Sequence, residues 1–306
     1  MIEYYNKKRE EDKVEKLEEF QKGCWVHVIN PSEEELNFLV EKLNLNKADL
    51  IDGMDIHENP RFEIIDKISY IYLTAPTNKI KLEHDSSFLI IYAKDFFLTL
   101  ARNNLEIFDT ILNPKTDFSK FTKSRNLVKI LYIVSRMYEK SVHKILKESK
   151  ENRAELSKLR NKDIEKLITY EDTLNAYISS FGRTISTYSR ILRDRSVKFI
   201  KKDEEIIEDL IIDLNETLEL CKQTLKRISN MRNYYSTKLS NDLNKTVTVL
   251  TVMTIFLAIP TLISSIYGMN VSLPFQNNPN LLIGLLIVAL AIGAFFFGLL
   301  KHKKIL

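Results

Sequence analysis

Apolar and polar residues change their spacing twice along this chain, which divides it into three stretches. From residue 20 to 113 the pattern is short and mixed. Trp25–Asn30 alternates like a strand and is followed by Pro31-Ser32-Glu33-Glu34-Glu35. Ser32 and Glu35 make a capping box, which predicts a helix from Glu33 to about Leu43 with its acids at the end of the dipole that favours them. Runs at 61–76 and 87–101 are rich in Val, Ile, Tyr and Phe, and turn-forming residues such as Asn59-Pro60 and Thr77-Asn78 separate them. They predict a central sheet with one or both faces covered.

Beyond Pro114 the period lengthens. Between Asp117 and Pro260 there is no proline and a single glycine, Gly182, and apolar positions recur among charges at helical spacing. Long helices are predicted over 118–150, 153–199 and 203–266. In the last of them Ile207, Ile211, Leu214, Leu218, Cys221, Leu225 and Ile228 step by three and four, and the seam continues through Tyr235, Leu239 and Leu243. Self-association as a coiled-coil-like stalk and packing on the 153–199 helix account for that stripe equally well.

The third stretch has no charge. None of the Asp, Glu, Lys or Arg residues falls between Lys245 and Lys301, although these types make up 28% of the chain. Within it, Thr246–Ile266 supplies 21 residues and Leu281–Leu300 supplies 20. At 1.5 Å per residue each spans roughly 30 Å, the thickness of a bilayer's hydrocarbon core. The polar linker Tyr267–Asn280 predicts a hairpin loop. Arg232, Lys238 and Lys245 flank one end of the pair and Lys301, Lys303 and Lys304 the other, which predicts both termini in the cytoplasm and the loop outside. The second span carries Ala289/Gly293 and Ala294/Gly298, small-residue pairs suited to close helix contact. The first holds Thr246, Thr248, Thr251, Thr254, Thr261, Ser264 and Ser265, with Pro260 placed to loosen the helix near its outer end. Hydroxyls can satisfy themselves on the preceding turn, but seven in one span suggest a face that meets water or other helices.

Charge adds one correction to the average picture. All 41 acids precede the uncharged stretch, and three of the 45 Lys and Arg follow it, so the formal +4 comes mainly from the tail. That is a membrane-flanking cluster rather than a nucleic-acid surface. Two cysteines, Cys24 and Cys221, make no disulfide framework and fit a reducing compartment. The first residues, MIEYYNKKREEDKVEKLEE, lack the apolar core of a signal peptide. With seven glycines, no GxGxxG and no P-loop, and five histidines without ligand spacing, an enzyme is disfavoured.

The first span ends in Tyr267-Gly268-Met269-Asn270. Its placement at the outer mouth of the first of two C-terminal spans, with a basic tail closing the chain, resembles the CorA family of divalent-cation channels. Trp25–Leu36 and His57-Glu58-Asn59-Pro60-Arg61-Phe62-Glu63 are similar to other stretches of that family. The resemblance implies an N-terminal cytoplasmic α/β domain, a long helical stalk and two C-terminal transmembrane helices, assembled as a homopentameric funnel in the cell membrane. On that reading 1–115 is the α/β domain, 116–202 the long helices, 203–245 the stalk, 246–266 the pore-lining span, 267–280 the external loop, 281–300 the second span and 301–306 the basic tail. It implies passive inward transport of hydrated Mg2+, with Co2+ or Ni2+ as related cargo, and a selectivity filter at Gly268, Met269 and Asn270.

Mg2+ prefers octahedral oxygen coordination and sheds water reluctantly. A ring of Asn270 carboxamides therefore offers neutral acceptors to the ion's own waters, while Gly268 allows a sharp turn and Met269 shapes the collar. A helix cap is the other use of an asparagine there. The resemblance implies that Asn244 marks the inner end of the pore helix, and steps of three and four outward from it give Val247, Leu250 or Thr251, Thr254, Ala258 and Thr261 as the pore face. On the family reading Val247 and Leu250 form an apolar constriction that gates by dewetting, and packing against lipid or another helix is the other use of these residues. The family's regulation by Mg2+ bound between subunits points to Asp209, Asp213 and Glu216 on one face of the stalk, although most stalk acids read as a solvated surface. Asn233 stands near the height where the family carries a regulatory acid.

The loop Val271–Asn280 departs from the family by holding no acid, so electrostatic concentration of cations at the entrance is weaker. Proton-coupled Zn2+ transport by a related branch stays open as an alternative, and so does a membrane-tethered coiled-coil scaffold. No ATP is needed, because a divalent ion moving down 100 mV gains about 4.6 kcal/mol.

Overall fold

The structure, a computed structural model, describes residues 1–7, 14–76, 85–112, 122–154, 161–194, 196–272, 274 and 280–302. The chain divides into two compact units, Met1–Asn230 and Met231–Leu306.

The first unit is built on a seven-stranded sheet of β1 (Ile2–Lys7), β2 (Val14–Leu17), β3 (Trp25–Ile29), β4 (Arg61–Ile65), β5 (Ile68–Pro76), β6 (Asp85–Tyr92) and β7 (Phe97–Ala101). Their order is β2-β1-β3-β7-β6-β5-β4. β3 and β7 pair in parallel and the other neighbours antiparallel. The crossover between β3 and β7 carries α1 (Glu33–Leu43) and α2 (Lys47–Asp52). Leu36, Leu39, Leu43 and Leu50 of these helices pack on Val26, Tyr70, Tyr72, Leu89 and Leu98 of the sheet.

The predicted capping box is present. Ser32 Oγ accepts from the Glu35 N–H at 3.2 Å, and Glu35 Oε2 accepts from the Ser32 N–H at 2.9 Å. Asn44, left-handed at φ 51°, ends α1. The opposite sheet face is covered by α3 (Glu106–Leu112), α4 (Lys123–Ala154) and α5 (Asn161–Arg193). Both faces are therefore covered, which is why β5 carries no charge and is buried from Ser69 to Pro76. Thr74 Oγ1 lies 2.8 Å from Tyr138 Oη and 2.7 Å from Ser180 Oγ, so one buried hydroxyl cluster joins β5, α4 and α5.

Sequence patterning misses the hairpin of β1 and β2. Charged residues such as Glu3, Lys7, Glu15 and Lys16 mask its alternation, yet Ile2, Tyr4 and Leu17 pack against the core on the α1 side. The helix expected over 153–199 ends at Arg193, because the Asp194 carboxylate accepts the Ser196 N–H at 2.6 Å and turns the chain. Residues 118–121 and 155–160 of the expected helices, and the Thr77-Asn78 turn, lie outside the described residues.

α6 (Lys201–Tyr267) is a single helix of 67 residues that runs through Pro260. In the first unit it buries Ile207, Leu210, Leu214, Thr217, Cys221, Thr224 and Ile228, a strict alternation of three- and four-residue steps. Cys221 Sγ donates to the Leu174 carbonyl of α5 at 3.5 Å, so this seam is intramolecular packing. The predicted stripe is displaced by part of a turn, since Ile211, Leu218 and Leu225 are only half-buried. Leu239 and Leu243, further along, are exposed.

The second unit pairs the rest of α6 with α7 (Leu281–His302). A Cβ at Gly293 would lie 2.3 Å from the Phe256 ring, so glycine makes the close approach of these helices possible, with Ala289 buried one turn away. Among the described residues a Cβ at Gly298 would meet nothing within 4 Å.

Candidate functional site

Within the second unit α6 leaves its apolar surface uncovered. It contains an 18-residue stretch long and apolar enough to cross a bilayer, and none of that stretch is buried. Val247 is 60% exposed and Leu250 58%, values that water alone would not support on so long a surface. All seven residues stepped off from Asn244, namely Asn244, Val247, Leu250, Thr251, Thr254, Ala258 and Thr261, lie on α6 and are exposed. Thr254, Ala258 and Thr261 also line one open depression of about 750 Å³, rimmed by Leu257 and Leu262. Ser265 continues it. Spacing alone would have added this residue, since it stands four beyond Thr261.

The threonines of this stretch share one hydrogen-bond habit. Thr246 Oγ1 donates to the Asp242 carbonyl at 3.0 Å and Thr248 to Asn244 at 2.8 Å. Thr251, Thr254 and Thr261 donate in the same way to Val247, Leu250 and Leu257 at 2.8, 2.9 and 2.8 Å. Each hydroxyl proton is thereby committed to the helix's own backbone, which makes the residue tolerable in an apolar setting. What remains outward is oxygen lone pairs. These five threonines therefore present acceptors outward, a chemistry suited to cations and to the water around them.

At the far end α6 stops at Tyr267. The Gly268 N–H donates to the Ser264 carbonyl at 2.9 Å and the Met269 N–H to Ile266 at 3.2 Å, closing the last turn. Gly268 is not among the residues with positive φ, so the sharp turn expected there uses no left-handed backbone. Met269 and Asn270 are exposed, and Tyr267 Oη donates to the Pro274 carbonyl at 3.4 Å. Leu273 and residues 275–279 of the expected loop lie outside the described residues, as do Lys303 and Lys304 of the tail.

The stalk acids sit in the first unit. Asp209 and Glu216 are exposed and Asp213 is half-buried. They follow one another along α6, and among the described residues no three His, Cys, Asp or Glu side chains converge to hold a metal ion. Asp203 is buried and paired with Arg125. The Glu58–Glu63 stretch proves architectural. Arg61 reaches Asp52 at 3.0 Å, Glu63 at 3.2 Å and Glu58, and its guanidinium stacks 3.9 Å from the Tyr72 ring centroid. Burial pushes the neighbouring Asp49 carboxyl up, Glu63 and Asp52 add to the effect, and Arg61 opposes it.

Comparison with known proteins bears on the whole of this arrangement. The family described as CorA-like Mg2+ transporter protein matches residues 20–302. A curated relative, the cobalt/magnesium transport protein CorA of Methanocaldococcus jannaschii, is 25% identical over 287 residues, 89% of each chain. The complete structure of the CorA magnesium transporter from that organism superposes with a TM-score of 0.80 at 23% identity, covering 97% of both chains. The ZntB cytoplasmic domain from Vibrio parahaemolyticus shares the fold at a TM-score of 0.61 and 9% identity, covering 78% of this chain and 97% of its own.

Proposed function

This chain belongs to the CorA-like Mg2+ transporter family, and from that premise we propose that it is one subunit of a channel carrying hydrated Mg2+ passively into the cell. Proteins of the family are membrane transporters, not enzymes. Five copies surround an axis. The Thr246–Ile266 part of α6 lines the conduit, α7 lies outside it, both termini are cytoplasmic, and the Asn270 side chains form the outer collar.

One observation carries the reading. α6 presents an unburied apolar stretch whose exposed threonines have spent their protons on the backbone, and Asn270 stands three residues beyond the end of that helix. A hydrated Mg2+ ion presents water protons outward, so a lining of hydroxyl and carboxamide oxygens accepts from it without stripping its shell. Val247 and Leu250 make the apolar gate at the inner end. Asp209, Asp213 and Glu216 bind regulatory Mg2+ only where a second subunit completes the oxygen set, since along one helix they do not converge.

The test is flux into liposomes loaded with a Mg2+ indicator, run against a panel of divalent ions with and without a pH gradient. Asn270→Ala should cut Mg2+ flux by at least about tenfold, about 1.4 kcal/mol of lost stabilisation, with the oligomer intact. Undiminished flux would refute the collar. The acid-free loop is what favours the Zn2+ reading, and Zn2+ uptake that follows the proton gradient and exceeds Mg2+ uptake would establish it.

A further inference from the structure

Two long helices begin at one buried ion pair. Arg125 lies in the first turn of α4 and Asp203 in the first turn of α6, and Arg125 Nη1 donates to the Asp203 carboxylate, whose side chain is 3% exposed. Asp203 stands where a helix dipole favours an acid. Arg125 stands where the dipole opposes a cation, in a first turn that contains no acid. Its placement makes sense through the carboxylate opposite. The start of α4 is itself anchored, because Lys123 Nζ donates to the Ala93 carbonyl at 2.7 Å and to that of Lys94, at the β6–β7 turn.

Beyond the pair, the seam that α6 buries from Ile207 to Ile228 is apolar apart from Thr217 and Thr224. Both of their hydroxyls turn back to their own helix, onto the Asp213 and Leu220 carbonyls. Such a seam repeats every seven residues, so it holds a helix sideways but distinguishes poorly between neighbouring registers. A charge pair with one buried member discriminates more sharply, because a shift that separates the partners leaves the Asp203 carboxylate buried without its guanidinium.

We infer that the Arg125–Asp203 pair is the register lock of α6, fixing the axial position and rotation of the helix that carries the conduit face. The inference rests on the proposed conduit reading for its functional consequence. α6 is unbroken from Lys201 to Tyr267, so Asp203 stands on the same helix as Val247 and Leu250.

Two native cysteines supply the readout. Cys221 lies in the seam and Cys24 in the sheet core, and both are fully buried. Burial pushes the Cys221 thiol up to about 12, so it is unreactive while the seam is closed. Maleimide labelling of each cysteine is followed by peptide mass spectrometry on the full-length protein, alongside Mg2+ flux in liposomes. In Asp203→Asn and Arg125→Met, Cys221 should label about tenfold faster or more, as expected of a local opening, while Cys24 keeps its wild-type rate and the flux changes. The exchanged pair, Arg125→Asp with Asp203→Arg, should return both readings toward wild type, and Arg125→Lys should fall between. Unchanged Cys221 labelling overturns the lock, and so does a matched rise at both cysteines, which would mark general loosening. Faster Cys221 labelling with unchanged flux overturns its link to conduction. A wild-type protein that carries no Mg2+ defeats the transport reading instead, and the labelling still judges the lock.

Discussion

His27 illustrates how a single side chain is fixed by its neighbours. It is 3% exposed on β3, and its Nδ1 lies 2.8 Å from Thr99 Oγ1, which also accepts the Trp25 Nε1–H at 2.8 Å. The Thr99 hydroxyl has a second lone pair and a proton, so it can serve either tautomer of the neutral ring at Nδ1. Burial lowers its pKa to about 4, with Glu3 and Asp109 opposing. The folded value lies below the unfolded one, so the stabilisation is complete above the unfolded pKa of 6.5 and is lost as the pH falls toward 4. Its size is about 3 kcal/mol. Thermal unfolding of wild type and His27→Gln between pH 7 and 4 should show a steeper acid loss for wild type, and parallel curves would contradict it. At the same scale, the threonines of α6 have a clear chemistry that composition alone left ambiguous. Their count was visible in the sequence, but the direction of each proton needed the helix.

At the scale of elements, the α6–α7 contact depends on one missing side chain. Gly293 admits the Phe256 ring to a distance at which any Cβ would collide, whereas a Cβ at Gly298 would meet nothing within 4 Å among the described residues. Gly293→Val should therefore lower the thermal stability of the detergent-solubilised protein by about 1–3 kcal/mol through overpacking. Phe256→Ala should relieve it in the double variant, and Gly298→Val should be near neutral. Equal effects at the two glycines would mean that the contact does not hold. The seam of α6 teaches a related lesson. Its periodicity was legible, but Thr217 and Thr224 occupy core positions that an apolar count passes over, so the buried stripe lies along a slightly different line from the one predicted. Leu239 and Leu243 keep the same spacing yet are exposed, because period reports the phase of a helix face and not its partner.

At the scale of the molecule, the unburied part of α6 requires surroundings that one chain does not provide. Lipid on one side and further copies on the other satisfy it under the proposed assembly. The mass of the detergent-solubilised protein, corrected for bound detergent, should correspond to five chains, and a monomer or dimer would remove the shared axis. Chelating Mg2+ should speed proteolysis of the first unit if Asp209, Asp213 and Glu216 hold ions between subunits. An unchanged digestion pattern would detach those acids from regulation.

The sequence by itself determined the features carried by local chemistry and by strong sorting of residues. These are the capping box at Ser32, the β-rich runs, the long helices, the uncharged stretch, and the family resemblance carried by Tyr267–Asn270. Each depends on neighbours within a few turns or on simple hydropathy, so no tertiary knowledge is needed. Only the tertiary structure decided which partners those elements meet. It added the charged β1–β2 hairpin to the sheet, turned Arg61 and its acids into an anchor, placed Asp203 opposite Arg125, and divided the stripe of α6 into a covered seam and an open face. Burial and pairing join residues far apart in the chain, and spacing along one element carries no record of what stands across from it.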